Sequence, residues 1–267
     1  MRLTQSITNI IFGLLLLIRL PSYGQRAKEL QRFQLAQVQQ GVAVDASYFY
    51  VVNNHSLTKH LKSSGKQVAV WQDTTGLLKH MNSGVVIGKK LYCTHSNYPD
   101  VPMASSLEIF DTRTLRHIGT HSFGLFPGSV TWADFHQGHW WVAFANYSDK
   151  ASAEGRDNRW TTLVKFTKSW QQVEAWTFPP VVLQAFLPKS TSGGAWGKGG
   201  FIYCTGHDKP ELYVLKLPER GYTLQYVKTI PTTSEGQAFA IDRSIRSKQV
   251  LYGITRHDNY VIVSVID

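Results

Sequence analysis

The sequence predicts an all-β fold in which five four-stranded sheets close into a ring. Three observations carry that prediction. Glycine-led apolar strands recur at spacings mostly in the low forties, and each unit holds four short β-type segments. The last unit stops one strand short, while a matching segment stands near the start of the chain. A repeat of this length with four strands per unit is the signature of a β-propeller blade.

The clearest unit spans residues 83–123, where Ser83-Gly84-Val85-Val86-Ile87, Leu91-Tyr92-Cys93-Thr94-His95, Ser106-Leu107-Glu108-Ile109-Phe110 and residues 116–123 alternate with turns. The leading glycines are Gly41, Gly84, Gly128, Gly194 and Gly236, at spacings of 43, 44, 66 and 42 residues. Innermost strands crowd a central channel, where a side chain would collide or φ must be positive, so glycine is expected there. For the fifth unit the innermost strand is expected over Gly236-Gln237-Ala238-Phe239-Ala240. Aromatic-rich second strands follow at residues 48–54, 91–95, 140–146, 201–207 and 250–256.

After Tyr260-Val261-Ile262-Val263-Ser264-Val265 the chain ends without a fourth strand. The segment Leu30-Gln31-Arg32-Phe33-Gln34-Leu35-Ala36 resembles the outer strand Trp170-Gln171-Gln172-Val173-Glu174-Ala175-Trp176. The expectation is a five-bladed β-propeller whose N-terminal strand completes the last blade and removes an exposed sheet edge. The long third spacing holds two insertions, a polar one at residues 148–159 and another at 179–192 with a short helix near 181–186.

Residues 1–24 read as a secretory signal: Arg2 supplies a positive charge, residues 10–18 are apolar, and Ser22-Tyr23-Gly24 precedes Gln25 with small residues at the cleavage offsets. The apolar run is too short for a stable membrane span. Residues 25–267 then form a single propeller domain, expected in the periplasm or secreted, and expected to be a monomer. The formal net charge of +10 comes from scattered Lys and Arg, with no basic block, which argues against nucleic acid as the partner. Cys93 and Cys204 sit in matching strands of non-adjacent blades, beyond bridging distance, and are expected to be buried free thiols.

Propeller topology places second-to-third loops and blade-to-blade connections on one face, with the polar ends of the second strands around its rim. His95, Asn97, Asn146, His207 and Asp208 fall there, as do Asn82, Glu235 and Gln237 at the innermost strands. Several imidazoles on one face suit acid–base work near neutral pH. The catalytic candidates are His95 and His207, read as occupying equivalent strand positions, with Asp208 or Glu235 tuning them. The ligand-binding candidates are Asn82, Asn97, Asn146, Gln237, Arg159 as a carboxylate clamp and Trp160 as a stacking surface. Imidazoles around an axis also suit a transition metal, which stays open as a cofactor, and no organic cofactor is expected. A glycosidase needs two positioned acids, and the rim offers few. No nucleophile elbow, phosphate loop or dinucleotide fingerprint occurs.

Five stretches, Asn82-Ser83-Gly84-Val85-Val86, Leu91-Tyr92-Cys93-Thr94-His95-Ser96-Asn97-Tyr98-Pro99, Asp157-Asn158-Arg159-Trp160-Thr161-Thr162-Leu163-Val164-Lys165-Phe166, Ser192-Gly193-Gly194-Ala195-Trp196-Gly197 and Thr205-Gly206-His207-Asp208-Lys209-Pro210-Glu211-Leu212-Tyr213, resemble a group of bacterial secreted propeller proteins. Members often carry the label "cycloisomerase", which implies kinship to lactone-forming muconate cyclases of a different blade number. The resemblance brings no assigned catalytic residues. The ligand expected from the rim is a small polar or anionic molecule, and an enzyme here would do isomerase or lyase chemistry on a carboxylic or sugar acid. The alternatives are a non-catalytic glycan-binding module and a protein-binding scaffold.

Overall fold

The structure is a computed structural model and describes residues 25–125, 127–149 and 153–266. The expected signal segment lies outside the described residues.

Five antiparallel four-stranded sheets form the blades. The first holds β2 (Gly41–Val44), β3 (Tyr48–Val52), β4 (Ser56–Leu61) and β5 (Gln67–Gln72). The second holds β6 (His80–Ile87), β7 (Lys90–Ser96), β8 (Ala104–Asp111) and β9 (His117–Leu125). The third is β10 (Ser129–His136), β11 (His139–Ala145), β12 (Thr162–Phe166) and β13 (Gln172–Thr177). The fourth is β14 (Gly193–Trp196), β15 (Ile202–Thr205), β16 (Glu211–Lys216) and β17 (Gln225–Pro231).

The fifth sheet joins the two ends of the chain. Its order is β1 (Lys28–Gln34), β20 (Tyr260–Ile266), β19 (Gln249–Thr255) and β18 (Ala240–Ile241), with Phe33 opposite Val261 and Gln34 opposite Tyr260. The expected closure by the N-terminal strand is therefore observed. The innermost strand of this blade is shorter than expected. Residues 236–238 give their backbone N–H groups to neighbouring blades, Gly236 to Asp208 O, Gln237 to Gly206 O and Ala238 to Gln40 O, so only Ala240–Ile241 is left to pair with β19.

The core is divided among the five blade interfaces, each filled by its own apolar cluster. Second strands are covered on both faces, which accounts for unbroken runs such as Tyr48–Val52 and Trp140-Trp141-Val142. Trp132 is fully buried between the third and fourth blades. Gly194 makes room for it: a Cβ there would sit 2.2 Å from the indole ring. At Gly41 a Cβ would meet Ala238 Cβ at 2.5 Å and Asn82 O at 2.9 Å, so here glycine lets three innermost segments converge. Cys93 and Cys204 are buried free thiols, as expected, and burial raises the pKa of both.

The insertion at 179–192 carries α1 (Pro180–Phe186), with Val182, Leu183 and Phe186 packed into the interface between the third and fourth blades. Proline at the first helical position suits the start of this one-turn-plus helix. No helix among the described residues is long and apolar enough to cross a membrane.

Candidate functional site: the channel mouth

The ends of the second strands and the residues entering the innermost strands meet around one opening of the channel. The pocket there, about 380 Å³, is lined by Gln40, Asn54, His80, Asn82, His207 and Gln237, together with Lys79, Tyr98, Tyr147, Lys189 and Arg256. No Asp or Glu lines it. At the other end the channel narrows to about 50 Å³, where Arg243 Nη2 donates to Asp134 Oδ2 at 2.5 Å and to Trp196 O at 3.2 Å.

Each wall of the mouth has a physical reason for its position. Gln237 has φ +103°, a conformation rare for a residue with a side chain, and two bonds hold it there. Its backbone N–H donates to Gly206 O and its Nε2 donates to His207 O, both at 2.9 Å. Backbone strain of this kind costs roughly 1–3 kcal/mol and concentrates at functional sites. Gln40 Nε2 donates to Asn54 Oδ1 at 2.9 Å. Lys189 Nζ donates to Asp149 Oδ2 at 2.6 Å and to Tyr98 Oη at 3.0 Å, and Lys79 is paired with Asp100 at the exposed edge. Arg256 makes no side-chain ion pair among the described residues. Asn82 is 5% exposed and its Oδ1 has no hydrogen-bond partner among the described residues.

Burial disfavours the charged form of both imidazoles at the mouth. Burial pushes the His80 pKa down to about 4, helped by repulsion from His95, His55 and His207. His80 packs against Tyr98, with ring centroids 5.1 Å apart, and Tyr98 in turn meets Tyr147 edge-on at 5.2 Å. His207 is lowered by burial, against the opposing pull of Asp208, with Arg256 and Lys189 pressing it down further. His207 Nδ1 lies 2.5 Å from Asp208 Oδ1. A proton on Nδ1 shared with that carboxylate leaves Nε2 as an acceptor.

His95 is elsewhere. Its Nε2 accepts from the Lys79 backbone N–H at 3.0 Å, which places the ring proton on Nδ1, facing Ser106 Oγ at 3.0 Å. Ser106 Oγ in turn donates to Glu108 Oε1 at 2.6 Å. The expected equivalence of His95 and His207 fails by one residue, because His95 stands two places after Cys93 whereas His207 stands three after Cys204. Strand side chains alternate between faces, so one step sends the two imidazoles to opposite sides of their blades.

The other candidates are likewise spread out. Glu235 Oε2 accepts from the Arg256 backbone N–H at 3.0 Å, beside the mouth but not lining it. Asn97 braces its own loop, donating to Pro102 O at 3.1 Å and accepting from Ala104 N at 2.8 Å. Asn146 is buried and donates to Trp160 O at 3.2 Å. Arg159 points into solvent with a side chain 81% exposed, paired with Asp157 at 2.7 Å. Trp160 is half exposed and lies under Arg156, 5.2 Å from the guanidinium to the ring centroid.

Of the candidates, the mouth thus gathers His207, Asn82 and Gln237, with Asp208 behind His207. Lys79, Lys189 and Arg256 escaped the sequence reading, which sought polar strand ends and did not weigh the cations flanking them. Among the described residues no group of three or more His, Cys, Asp or Glu side chains is arranged to hold a metal ion.

No protein-family model matches the sequence, and no curated protein matches it. Its fold has counterparts among solved structures. A glutaminyl cyclase from Myxococcus xanthus superposes with a TM-score of 0.59 at 13% identity, covering 91% of this chain and 98% of that one. The hydrazine synthase of Kuenenia stuttgartiensis gives a TM-score of 0.49 at 11% identity, over 84% of this chain and 82% of that one. At 13% identity the likeness to the glutaminyl cyclase shows a shared propeller fold and nothing finer.

Proposed function

We propose that the channel mouth binds a small anionic molecule, a carboxylic or sugar acid, and that any turnover there is proton transfer of the isomerase or lyase kind. One observation carries the reading. Arg256, without an ion pair among the described residues, shares the mouth with Lys79, Lys189 and two imidazoles whose charged form burial disfavours, and no described carboxylate lines it. A guanidinium without a counter-ion beside ammonium groups is the usual complement of a carboxylate.

His207 is the acid–base candidate in this reading. Asp208 orients it, and Nε2 takes a proton from the carbon next to the bound carboxylate and returns it at a second position. Asn82 Oδ1 would accept a hydroxyl or N–H of the ligand. The resemblance to propellers labelled "cycloisomerase" supports the same class of chemistry. The signal-like residues 1–24 support action in the periplasm or outside the cell, and we take the working unit to be a monomer.

Calorimetric titration of the purified chain with gluconate, glucuronate and malate tests the binding. Arg256→Gln is expected to weaken it by about tenfold or more, or roughly 1.4 kcal/mol. Unchanged affinity in that variant removes the proposal. Solvent deuterium entering the bound acid, followed by NMR and lost in His207→Asn, tests the chemistry. A second reading, non-catalytic glycan binding, draws on the Tyr98–Tyr147 aromatic pair at the same mouth. It is favoured if glucose binds as tightly as glucuronate.

A further inference from the structure

We infer that the cleft between the first and second blades is a second ligand site, one built for a hydroxylated ring carrying an ammonium group, that is, an amino sugar. The cleft, about 510 Å³, shares no lining residue with the channel mouth. Trp71 and Leu78 form one wall, and Glu108, His117 and Asp73 present the polar groups.

Glu108 is 3% exposed and accepts on both oxygens: from Ser106 on Oε1, and on Oε2 from Thr120 Oγ1 at 2.6 Å and His117 Nε2 at 2.8 Å. That bond fixes the His117 tautomer. With the proton on Nε2, Nδ1 is an acceptor, and it has no partner among the described residues. His117 sits beside Trp71, centroids 6.4 Å apart, and Trp71 is braced edge-on against Phe110 at 4.8 Å. An aromatic wall next to an oriented, open hydrogen-bond acceptor is the arrangement that holds a sugar ring, through its apolar face and one of its hydroxyls.

The charge of the cleft decides the substituent. No Lys or Arg lines it, whereas two carboxylates do, in a chain with a formal net charge of +10. A local reversal of sign against the surrounding field draws cations and turns away anions. The cleft therefore selects a ligand opposite in charge to that of the mouth, and Asp73 and Glu108 lie within the wall that an ammonium substituent would face.

The test is an NMR titration of the full chain, following the His117 imidazole and the Trp71 indole signals. Glucosamine is expected to shift both saturably, glucose to do so more weakly, and glucuronate to leave them unmoved. Trp71→Ala is expected to weaken glucosamine binding at least about fivefold. Trp71→Phe, which keeps an aromatic ring on Phe110, retains part of it and controls for folding. Arg256→Gln leaves glucosamine binding intact, which separates this site from the mouth. Silence of both signals toward glucosamine, an equal response to glucuronate, or undiminished binding in Trp71→Ala each overturns the inference.

Discussion

The channel mouth and the interblade cleft are made from the same kinds of parts, a histidine beside a carboxylate and an aromatic ring, yet they are finished differently. In the cleft, Glu108 has its oxygens occupied by Ser106, Thr120 and His117, and His95 is satisfied at both nitrogens. At the mouth, the side chains of Arg256 and His80 make no hydrogen bond among the described residues, and Asn82 Oδ1 is left without a partner there. A buried polar group satisfied within the protein supports the fold, whereas one left open reserves its interaction for something else. Glu108 and His95 therefore contribute mainly stability, whereas Arg256 and Asn82 at the mouth and His117 Nδ1 in the cleft are left open.

The largest effect that would break this contrast is in the cleft. Glu108→Ala leaves the buried Ser106 hydroxyl without its acceptor, while the exposed Thr120 and His117 turn to water, and is expected to cost about 1–3 kcal/mol in urea unfolding. A loss below about 1 kcal/mol would mean that the network is not structural. Arg256→Gln should do the reverse, leaving the unfolding midpoint where it is while carboxylate affinity falls about tenfold.

A smaller effect comes from pH. The folded His80 pKa is depressed to about 4, so between the ordinary histidine value of about 6.5 and that figure the unfolded chain takes up a proton that the folded one refuses. His80 thus contributes stability that is present near neutral pH, falls as pH is lowered through this window and levels off below about 4. Unfolding midpoints measured from pH 7 to pH 4 should show a shallower decline in His80→Gln than in the parent. An identical slope would place the titration in other histidines. The smallest expected effect is that of Arg159→Ala, whose solvated pair with Asp157 lies away from the mouth. Neither stability nor ligand affinity should change measurably.

Much of the architecture was legible because a propeller writes itself into the chain repeatedly. The glycine spacing, the aromatic-rich second strands and the stray segment at residues 30–36 each led to an observed element. The fifth innermost strand was the exception: residues 236–238 carry the same pattern as the others but spend their backbone donors on Asp208, Gly206 and Gln40 of neighbouring blades. Whether a strand pairs with its own sheet or with the next one is a matter of ring geometry, which no local pattern contains.

The candidate site was legible as a place more than as a set of side chains. Strand-end position alone brought out His207, Asn82 and Gln237. It could not say that His95 turns the other way, since a one-residue offset between otherwise matched strands reverses the face without changing composition. Nor could it separate Asn97 and Asn146, whose amides close loops, from Asn82, whose oxygen stays open.

The sequence by itself therefore determined the repeat, the blade number, the closing strand and the rim on which the polar strand ends gather. These follow from period-two alternation and from glycines at close approaches, both local properties. Only the tertiary structure decided which imidazole faces the mouth and that Lys79, Lys189 and Arg256 converge there. It also decided that a buried carboxylate and a tryptophan meet between two blades. Those are contacts between segments far apart in the chain, and their sign and direction are set by how five blades are rotated about a common axis.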